Sequence, residues 1–455
     1  MKTLPWKRWM LSGRRRRMFS AEPVVRVGIL EGQKEVRGFF HGPFKVQGQT
    51  VMDIPFFASF EGKTLHLTAE GKILGRGDEV VCLPQGEKAS FSLYGVTIGR
   101  QFHWEREEKQ TFQGSLLFCS KGEGITVINA LPLEQYLESV ISSEMSDRAP
   151  EEFLKAHAVV ARSWIGRRLL ETPHPFPSSP QMKEGEIIRW YGQETHADFH
   201  VCSDDHCQRY QGLTRRMTGK ASQAARETRG LFLAFDGEIC DARYHKSCGG
   251  RTELFKNAWE EREVPYLRSV SCAYSSFPYA DGEEEARRWI LSHPDAFCGE
   301  ADDKVLEVIL NDFDLDTHDF FRWEVSYSCT DLSDIVKEKG GTDLGHLTSL
   351  TPLARGPSGR IVLMKLVGEK GSVVVGKELE IRRWLSPNHL LSSAFILEPL
   401  TDCRGRILSF HFRGAGWGHG VGMCQIGAAV MALRGASFRE ILLHYFPGTV
   451  LSGLY

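Results

Sequence analysis

Glu144 is the side chain in this sequence with the most distinctive setting for proton transfer. It lies in the short break "SSEMSDRAP" between two predicted helices, next to the apolar residues Val140, Ile141 and Met145. A carboxyl group in an apolar cleft has its pKa raised by desolvation, so it can act as a general acid near neutral pH. A carboxylate that only caps the helix junction would explain the same position, and the sequence leaves both interpretations open.

Two cationic residues follow on the next predicted helix. Lys155 and Arg162 are seven residues apart, which places them two turns apart on one helical face. Two cations on one face could bind the polar groups of a ligand, and they could equally form a solvated charged stripe. Further along, "YHKSCGG" presents Tyr244 and Lys246 just before a pair of glycines, without implying the geometry of a catalytic triad.

The stretch "ETHADFHVCSDDHCQRY" is a candidate metal site. Its imidazole and thiol groups are His196, His200, Cys202, His206 and Cys207. Ligands of these types at such spacings suit tetrahedral zinc, although the spacing is not a C-x-x-C pattern. A Cys202–Cys207 disulfide is the competing interpretation if the protein is exported.

A glycine-rich stretch, "RGAGWGHGVGMCQIGAAVMALRG", begins at Arg413 and ends at Gly435. It lacks the Lys-Ser or Lys-Thr of a P-loop and the glycine spacing of a dinucleotide fingerprint, so both phosphate-binding motifs are excluded. Glycines at this density are expected where the backbone needs positive φ or a close approach. The partner in that approach is either a ligand, as in a groove wall, or a neighbouring strand.

The elements that must position these residues predict an α+β fold. Residues 24–120 are β-rich, with "TLHLTAEGKILGRG" as a hairpin. A strand over 125–128 leads into a helix with apolar residues at 133, 137, 140 and 141, and a second helix begins near Pro150. Residues 171–200 are predicted as a Pro-rich loop and residues 280–345 as an insertion with helical stretches. The segment "GRIVLMKLVGEKGSVVVGKELEIRRWL" is predicted as a hairpin and a short helix, and two short helices follow the glycines, the second with a Ser437/Glu440 capping box.

The length, composition and net charge of the chain limit the class of protein. The 455 residues carry a net charge of −2, with 42% hydrophobic and 25% charged residues, which gives no reason to expect nucleic-acid binding. No run of eighteen apolar residues occurs, so no transmembrane segment is expected. Residues 1–23 are predicted as a basic N-terminal tail, and they lack the apolar core of a secretory signal.

Two long stretches, in order, resemble the signatures of the SpoIID/LytB family. The first is "LPLEQYLESVISSEMSDRAPEEFLKAHAVVARSW" and the second is "GAGWGHGVGMCQIGAAVMALRGASFREILLHYFPGT". The segment that begins at Gly359 also resembles the one that this family places before its glycine signature. The sequence departs from the family pattern in having His157 for glutamine, Ser163-Trp164 for Thr-Tyr and Cys424 for serine.

The resemblance implies a peptidoglycan lytic transglycosylase that cleaves the MurNAc–GlcNAc bond of glycan strands. It assigns Glu144 as the catalytic acid/base. It places these residues in the substrate groove or in the glycine signature beside it: Lys155, Arg162, Tyr244, Lys246, His419 and Gln425. It also implies a zinc ion, with a structural role, held by His196, Cys202, and His206 or Cys207.

The competing function is a non-catalytic module that binds peptidoglycan and enhances an N-acetylmuramoyl-L-alanine amidase. A zinc hydrolase is a more distant alternative, since the metal cluster lies in a different segment from the acid. A single acidic candidate suits a lytic transglycosylase, because hydrolytic glycosidases typically need two carboxylates. A wall substrate implies a location in the cell envelope or periplasm, with an amidase as a possible partner.

The expected domain organisation follows the same motifs. After the tail 1–23, a SpoIID/LytB-like domain is expected over 24–455. Its predicted parts are a β-rich part over 24–120, a catalytic core over 121–275, an inserted β subdomain over 276–400 and the glycine signature over 401–455.

Overall fold

The structure, a computed structural model, describes residues 19–62, 64–100, 105–121, 124–170, 181–183, 185–190, 196–453 and 455. Most of the predicted basic tail, residues 1–18, lies outside the described residues, as does the middle of the predicted Pro-rich loop. No helix in the described part of the chain combines the length and apolar character needed to cross a membrane.

The N-terminal part is built from strands, as the β-branched and aromatic runs predict. Ten strands precede the first helix: β1 Val24–Gln33, β2 Glu35–Val46, β3 Gln49–Glu61, β4 Thr64–Ala69, β5 Lys72–Gly77, β6 Glu79–Pro84, β7 Ser90–Ile98, β8 Arg106–Gln113, β9 Ser115–Lys121 and β10 Gly124–Pro132. The hairpin predicted from "TLHLTAEGKILGRG" is confirmed, because β4 pairs with β5 in antiparallel register. Residues alternate between buried and half-buried along β4, which is the pattern of a strand with one face on a core.

These strands join β13 (Val201–Cys202) in one eleven-stranded sheet. The order along its main path is β13, β1, β10, β9, β6, β2, β3, β4 and β5, with β7 paired to β2 and β8 paired to β7. The pair of β1 and β13 is parallel and places Cys202 beside Gly28, whereas β1 and β10 are antiparallel. The sheet edge therefore carries part of the predicted metal cluster.

Helix α1 (Leu133–Glu144) contacts β1 and β10 of this sheet, and α2 (Glu151–Leu170) and α3 (Lys220–Glu227) pack against α1 and against each other. The two predicted helices are confirmed, and the first ends at Glu144 itself. Helix α2 is buried over almost all of its middle turns, from Phe153 to Gly166. A helix that is buried on nearly every side lies inside a core, and α2 contacts α1, α3, α9, α10 and β14.

The remaining strands and helices complete the first core and form a second one. The strands are β11 Gln181–Lys183, β12 Glu186–Ile188, β14 Leu231–Phe235, β15 Glu238–Ile239, β16 Tyr244–His245, β17 Arg322–Ser328, β18 Leu347–Arg355, β19 Ile361–Gly368, β20 Gly371–Gly376, β21 Phe395–Thr401, β22 Ile407–Ala415, β23 Met423–Cys424 and β24 Val450–Gly453. The helices are α4 Phe255–Ala258, α5 Glu283–Leu291, α6 Asp303–Ile309, α7 Cys329–Gly340, α8 Glu378–Trp384, α9 Gln425–Leu433 and α10 Phe438–Tyr445. Helices and mixed sheets together confirm the α+β class.

The second core contains residues from Trp323 to Phe412. Two sheets enclose it with α7 and α8: one has the order β11, β12, β20, β19, β18, and the other has β17, β22, β21. Because β22 pairs with both β17 and β21, this core continues past residue 400, where the sequence predicts a boundary. The division into subdomains stays a prediction.

Two segment predictions need correction. The stretch 171–200 is not loop throughout, because β12 adds to β20 in parallel and β11 pairs with β12. The predicted helical insertion over 280–345 contains α5, α6 and α7, but it also contains β17. Periodicity in the chain does not reveal β12 and β17, because each pairs with a strand more than eighty residues away in sequence.

The start of α10 and the end of α9 show the features that the sequence predicts there. Ser437 and Glu440 form the predicted capping box of α10. Gly435 follows α9 with φ of +90°, the conformation that favours glycine after a helix end. Strand β24, which the sequence does not predict, pairs with β14 in antiparallel register.

A buried ion pair connects α1 to α2. The Arg162 guanidinium is fully buried and donates from Nε and Nη2 to the two carboxylate oxygens of Glu134, at 3.0 and 2.6 Å. It also donates to the carbonyl oxygens of Ala225 and Leu231, so one side chain links α1, α2, α3 and β14. Arg162 is therefore part of the core.

We expect Arg162→Met to lower the free energy of unfolding by about 3–5 kcal/mol, because it leaves the Glu134 carboxylate buried without its cation. Urea denaturation followed by circular dichroism measures this loss. Lys155→Met is the matched control on the same helix, since Lys155 pairs with the partly exposed Glu152 and Glu227 and should matter less. Equal losses in the two variants would contradict the structural role of Arg162.

Candidate active site

A cavity of about 570 Å³ gathers most of the residues that the sequence singles out. Nine of the eleven predicted site residues line it: Glu144, His196, Cys202, His206, Cys207, Tyr244, Lys246, His419 and Gln425. The acid and the metal cluster, which are far apart in sequence, therefore share one cavity. The sequence-based objection that they lie in different segments does not hold in the folded chain.

Glu144 is positioned by the end of α1 and held by two distant segments. Its side chain is only 8% exposed. The Tyr244 hydroxyl donates to Oε1 at 2.8 Å, and the backbone N–H of Arg209 donates to the same oxygen at 3.0 Å. Burial raises the pKa of Glu144, although Arg209 opposes the shift. These contacts make the carboxyl part of the cavity, so capping the helix junction does not account for its position.

A cluster of buried charges lies directly beneath this acid. Lys246 Nζ donates to Asp314 Oδ2 at 2.8 Å and to the backbone oxygen of Glu144 at 3.0 Å. Arg209 donates to Asp314 at 3.2 Å and to Asp205 at 2.5 Å. Burial alone would raise the pKa of Asp314, but Lys246 and Arg209 lower it, so this carboxylate stays ionised. Lys246 thus fixes the end of α1, where a cation also favours the helix dipole.

Tyr244 and the glycine stretch are brought together by a very short parallel pair of strands. Tyr244 pairs with Met423 and His245 with Cys424 where β16 meets β23. Next to them, Gln425 is buried in the cavity wall and lies 3.5 Å from His157 Nε2. The two segments that carry the predicted groove residues are therefore joined by backbone pairing.

His419 is a neutral histidine in this arrangement. Burial lowers its pKa well below the ordinary value, and the nearby His245 and Arg243 lower it further. Its Nδ1 accepts from the backbone N–H of Val421 at 3.0 Å, which leaves Nε2 as the N–H donor. His419 and Gly418 both line the cavity.

The other glycines of the stretch approach protein atoms. A Cβ on Gly416 would lie 2.8 Å from the backbone of Cys248, and one on Gly422 would lie 2.1 Å from the carbonyl oxygen of Arg243. A Cβ on Gly420 would meet the Arg360 guanidinium at 2.5 Å. Of the two interpretations that the sequence left open, close approach to the protein's own chain therefore applies to Gly416, Gly420 and Gly422. Their function is close packing of two chain segments.

Two predicted groove residues do not reach the cavity. Lys155 Nζ pairs with Glu152 at 2.9 Å and with Glu227 at 2.8 Å, and Arg162 is sealed in its pair with Glu134. The family resemblance placed both residues in the groove, whereas their shared helical face left a ligand site and a solvated stripe both open. Helix α2 instead lies inside the core, so its cations are used in packing.

Several cavity residues were missed by the sequence analysis. Three tryptophans, Trp164, Trp259 and Trp417, line it, and Arg243 lies 4.3 Å from the Trp259 ring. Asp205 also lines it, and its Oδ2 has no hydrogen-bond partner among the described residues. Only the run "SDDHCQRY" around Asp205 gave a local signal, because the tryptophans come from three separate segments.

The predicted metal ligands fit a tetrahedral ion. One atom from each of His196, Cys202, His206 and Cys207 lies within 4.8 Å of the others. Cys207 Sγ is 3.4 Å from His196 Nε2 and 3.5 Å from His206 Nδ1, and Cys202 Sγ is 3.8 Å from His206 Nδ1. A tetrahedral zinc with Zn–S of about 2.3 Å and Zn–N of about 2.0 Å sets such S···N edges near 3.6 Å. His200 points elsewhere, because its Nδ1 accepts from the backbone of Arg26.

The alternative of a Cys202–Cys207 disulfide is not the state that the structure shows. All eleven cysteines lie among the described residues and are free thiols. The donor set of two thiols and two imidazoles therefore fits zinc.

Comparisons with known protein families match two segments of the chain. The family described as Stage II sporulation protein matches residues 121–235, which include Glu144 and the metal cluster. A domain of unknown function, DUF8618, matches residues 253–422.

Individual relatives extend the match over most of the chain. The Stage II sporulation protein D of Bacillus subtilis is 25% identical over 327 residues, which is 71% of this chain and 76% of that protein. An uncharacterised protein of Brachyspira hyodysenteriae is 26% identical over 74% of this chain and 71% of its own length. The amidase enhancer of Bacillus subtilis is 25% identical over 51% of this chain and 32% of its own length. The chain therefore carries a SpoIID-family domain at residues 121–235 and is similar to Stage II sporulation protein D over most of its length.

Its departures from the SpoIID/LytB signature lie in or next to the cavity. Trp164 lines the cavity, and His157 replaces glutamine beside Gln425. Cys424, in place of serine, is fully buried and accepts from the backbone N–H of Gly427 at the start of α9. The changes therefore alter the surroundings of the acid and leave its two hydrogen bonds in place.

We expect Gly422→Ala to destabilise the protein more than Gly405→Ala. Both glycines have nearly the same φ, +78° and +79°, so both variants lose about 1–2 kcal/mol to backbone strain. Only at Gly422 does the new Cβ meet backbone, which adds about 1–3 kcal/mol of overpacking, whereas nothing lies within 4 Å at Gly405. Thermal and urea denaturation measure the difference, and equal losses would contradict the close approach at Gly422.

Proposed function

We propose that this protein is a peptidoglycan lytic transglycosylase that cleaves the MurNAc–GlcNAc bond, with Glu144 as general acid and base. The observation that carries the proposal is the buried Glu144 carboxyl in the cavity, with a pKa raised by burial and an orientation fixed by Tyr244 and the Arg209 backbone. A carboxyl that keeps its proton towards neutral pH is what a leaving glycosidic oxygen requires.

The reaction needs one group that first gives and then takes a proton. Protonated Glu144 donates to the glycosidic oxygen as the bond from MurNAc C1 to that oxygen breaks. The resulting carboxylate then accepts the proton of the MurNAc C6 hydroxyl, whose oxygen bonds to C1 and closes a 1,6-anhydro ring. The acid is regenerated and no water is consumed.

The walls of the cavity suit a sugar polymer. Trp164, Trp259 and Trp417 offer large apolar surfaces with a polar edge, and His419 offers a neutral N–H donor. Lys246 and Arg209 neutralise Asp314 beneath the acid, so the charge that develops on Glu144 is not opposed by a second free carboxylate there.

Asp205 is the group that could support hydrolysis instead. It lines the same cavity, and a second carboxylate is what a hydrolytic glycosidase uses. Its Oδ1 is held by Arg209 at 2.5 Å, which ties it to the charge cluster. We therefore favour ring closure over attack by water, and the reaction product distinguishes the two.

The second candidate function is a non-catalytic enhancer of a cell-wall amidase. The observation in its favour is the match to the amidase enhancer over half of this chain. In that case the cavity binds glycan without cleaving it, and an N-acetylmuramoyl-L-alanine amidase is the partner. Either function places the protein at the cell wall, in the cell envelope or periplasm.

We also propose that His196, Cys202, His206 and Cys207 hold a structural zinc ion. The supporting observation is the set of S···N distances close to those of a tetrahedral site. A zinc ion there would cross-link the segment 196–207 and so fix Arg209, whose backbone orients Glu144.

We expect Glu144→Gln to fold normally and to lose glycan cleavage by about 10²–10⁴-fold, the usual contribution of a general acid or base. Glutamine keeps the size and the acceptor oxygen for Tyr244 but cannot donate an acidic proton. Liquid chromatography and mass spectrometry of digested sacculi measure the anhydro-muropeptides. Glu151→Gln, at the exposed start of α2, is the matched control and should retain full activity.

Three other outcomes would contradict the proposed reaction in distinguishable ways. Near-full activity in Glu144→Gln would remove Glu144 from the mechanism. New reducing ends that carry ¹⁸O from labelled water would indicate hydrolysis. Unchanged glycan together with stimulation of an amidase would indicate the enhancer.

For the proposed reaction, the rate should fall as pH rises through the raised pKa of Glu144, because the proton to be donated is lost.

We expect Cys202→Ala to lose one zinc ion per chain and to melt at a lower temperature than the wild type, because metal binding is part of folding free energy. Elemental analysis and thermal denaturation of the same samples measure both effects. Equal zinc contents in the wild type and Cys202→Ala, or a mapped Cys202–Cys207 disulfide, would refute the site.

A further inference from the structure

A second cluster of possible ligands lies outside the cavity. It consists of Cys248, Cys272, Cys298 and Cys424, which we call the four-cysteine cluster. The residues come from four separate segments: the turn after β16, the turn near residue 272, the short 3-10 turn Phe297–Gly299, and the junction of β23 and α9. The proposed wall-cleaving reaction does not use them.

The four sulfur atoms form a compact group. Every pair of Sγ atoms lies within 4.8 Å, and Cys248 Sγ is 3.6 Å from Cys298 Sγ. A single tetrahedral zinc with Zn–S of about 2.3 Å requires S···S edges near 3.8 Å. An iron–sulfur cluster holds its thiolates farther apart, because several irons and sulfides lie between them. The spacing therefore fits one metal ion.

The surroundings of the sulfurs are suited to thiolates. Backbone N–H groups of Cys248 and Gly427 donate to Cys424 Sγ, at 3.3 and 3.4 Å, and the N–H of Gly250 donates to Cys248 Sγ at 3.4 Å. The Tyr445 hydroxyl lies 3.1 Å from Cys272 Sγ. Four hydrogen-bonding groups directed at three sulfurs are more than isolated buried cysteines need, since a thiol is only a weak acceptor.

The protein also makes space and supplies positive charge for such a site. A Cβ on Gly427 would lie 2.4 Å from Cys272 Sγ, so the glycine in α9 leaves room for that sulfur. Two guanidinium groups flank the backbone of the cluster: Arg322 donates to the carbonyl of Gly249 and Arg360 to that of Cys248. Four thiolates and one divalent zinc carry a net charge of −2, which two nearby cations offset.

We propose that the four-cysteine cluster is a structural tetrathiolate site for one zinc ion, separate from the His/Cys site in the cavity. All four residues are at most 3% exposed, so the site is closed to solvent and leaves no open position for substrate. Binding forms four Zn–S bonds and releases the protons of the four thiols, without any change of oxidation state.

The site would brace the wall of the cavity. Cys424 directly precedes Gln425 and pairs with His245, and Cys248 follows Lys246 by two residues. A zinc ion would therefore tie the glycine-rich segment to the segment of Tyr244 and Lys246, close to the pair of strands β16 and β23. The usual family signature has serine at this position, which would remove one ligand. The site is therefore expected only where the signature has cysteine, as it does here at Cys424.

The test measures zinc per chain in the full-length protein and in three single variants. We expect Cys298→Ala to lose one zinc relative to the wild type and to have a lower melting temperature. Cys202→Ala should keep the zinc of the four-cysteine cluster. Cys240→Ala is the matched control, since Cys240 is 1% exposed but lies outside both clusters, and it should keep all the metal.

Measurements on the wild-type chain test the four-cysteine site even if Cys298→Ala fails to fold. Cobalt substitution should give the charge-transfer absorption of a four-thiolate site. Alkylation mapped by mass spectrometry should modify these four cysteines together, and only after a chelator is added. Equal zinc in the wild type and Cys298→Ala, a disulfide within the cluster, or iron with acid-labile sulfide would each overturn the proposal, whatever the result for glycan cleavage.

Discussion

The candidate site rests on a buried carboxylate, Asp314, that holds two cations under the end of helix α1. Lys246 and Arg209 are almost as buried as Asp314, and each connects it to Glu144: Lys246 through the backbone oxygen and Arg209 through its N–H. Burying charges is costly unless each has a partner, and removing one member leaves the others unpaired. The network therefore fixes one position for the end of α1. Its energetic contribution is to specificity of geometry more than to overall stability.

The glycine-rich segment allows two backbones to lie against each other without intervening side chains. Gly416 and Gly422 touch the chain at Cys248 and Arg243, and the intervening Gly418 and His419 are left facing the cavity. One side of this segment packs against other parts of the chain, and the other side presents backbone and an imidazole to the cavity. The cavity wall is therefore only one chain segment thick at this point. Its position must come from neighbours, and the β16–β23 pair, Arg360 and the four cysteines all lie beside it.

Local sequence signals predicted much of the fold. The presence of α1 and α2, the start of α2 near Pro150, the hairpin over 64–77 and the capping box at Ser437 follow from periodicity and end signals acting over a few residues. The grouping of nine site residues in one cavity followed from the family motifs. Partners across long sequence distances could not be predicted: Asp314 beneath Glu144, Glu134 opposite Arg162, and β12 beside β20. A helical face shows which side chains point the same way, but not whether that side meets solvent or core, so it could not test the groove positions that the resemblance implied for Lys155 and Arg162.

The pairing of β14 with β24 has a consequence for the order in which the protein matures. During synthesis, Glu144 and its helix leave the ribosome long before His419, Gln425 and the strand Val450–Gly453 exist. Glu144 is thus made before the opposite wall of its cavity and before the edge partner of β14. Contacts between such distant segments form late in folding, because long loops must close first. A nascent chain that stops before His419 therefore carries Glu144 without the opposite wall of its cavity.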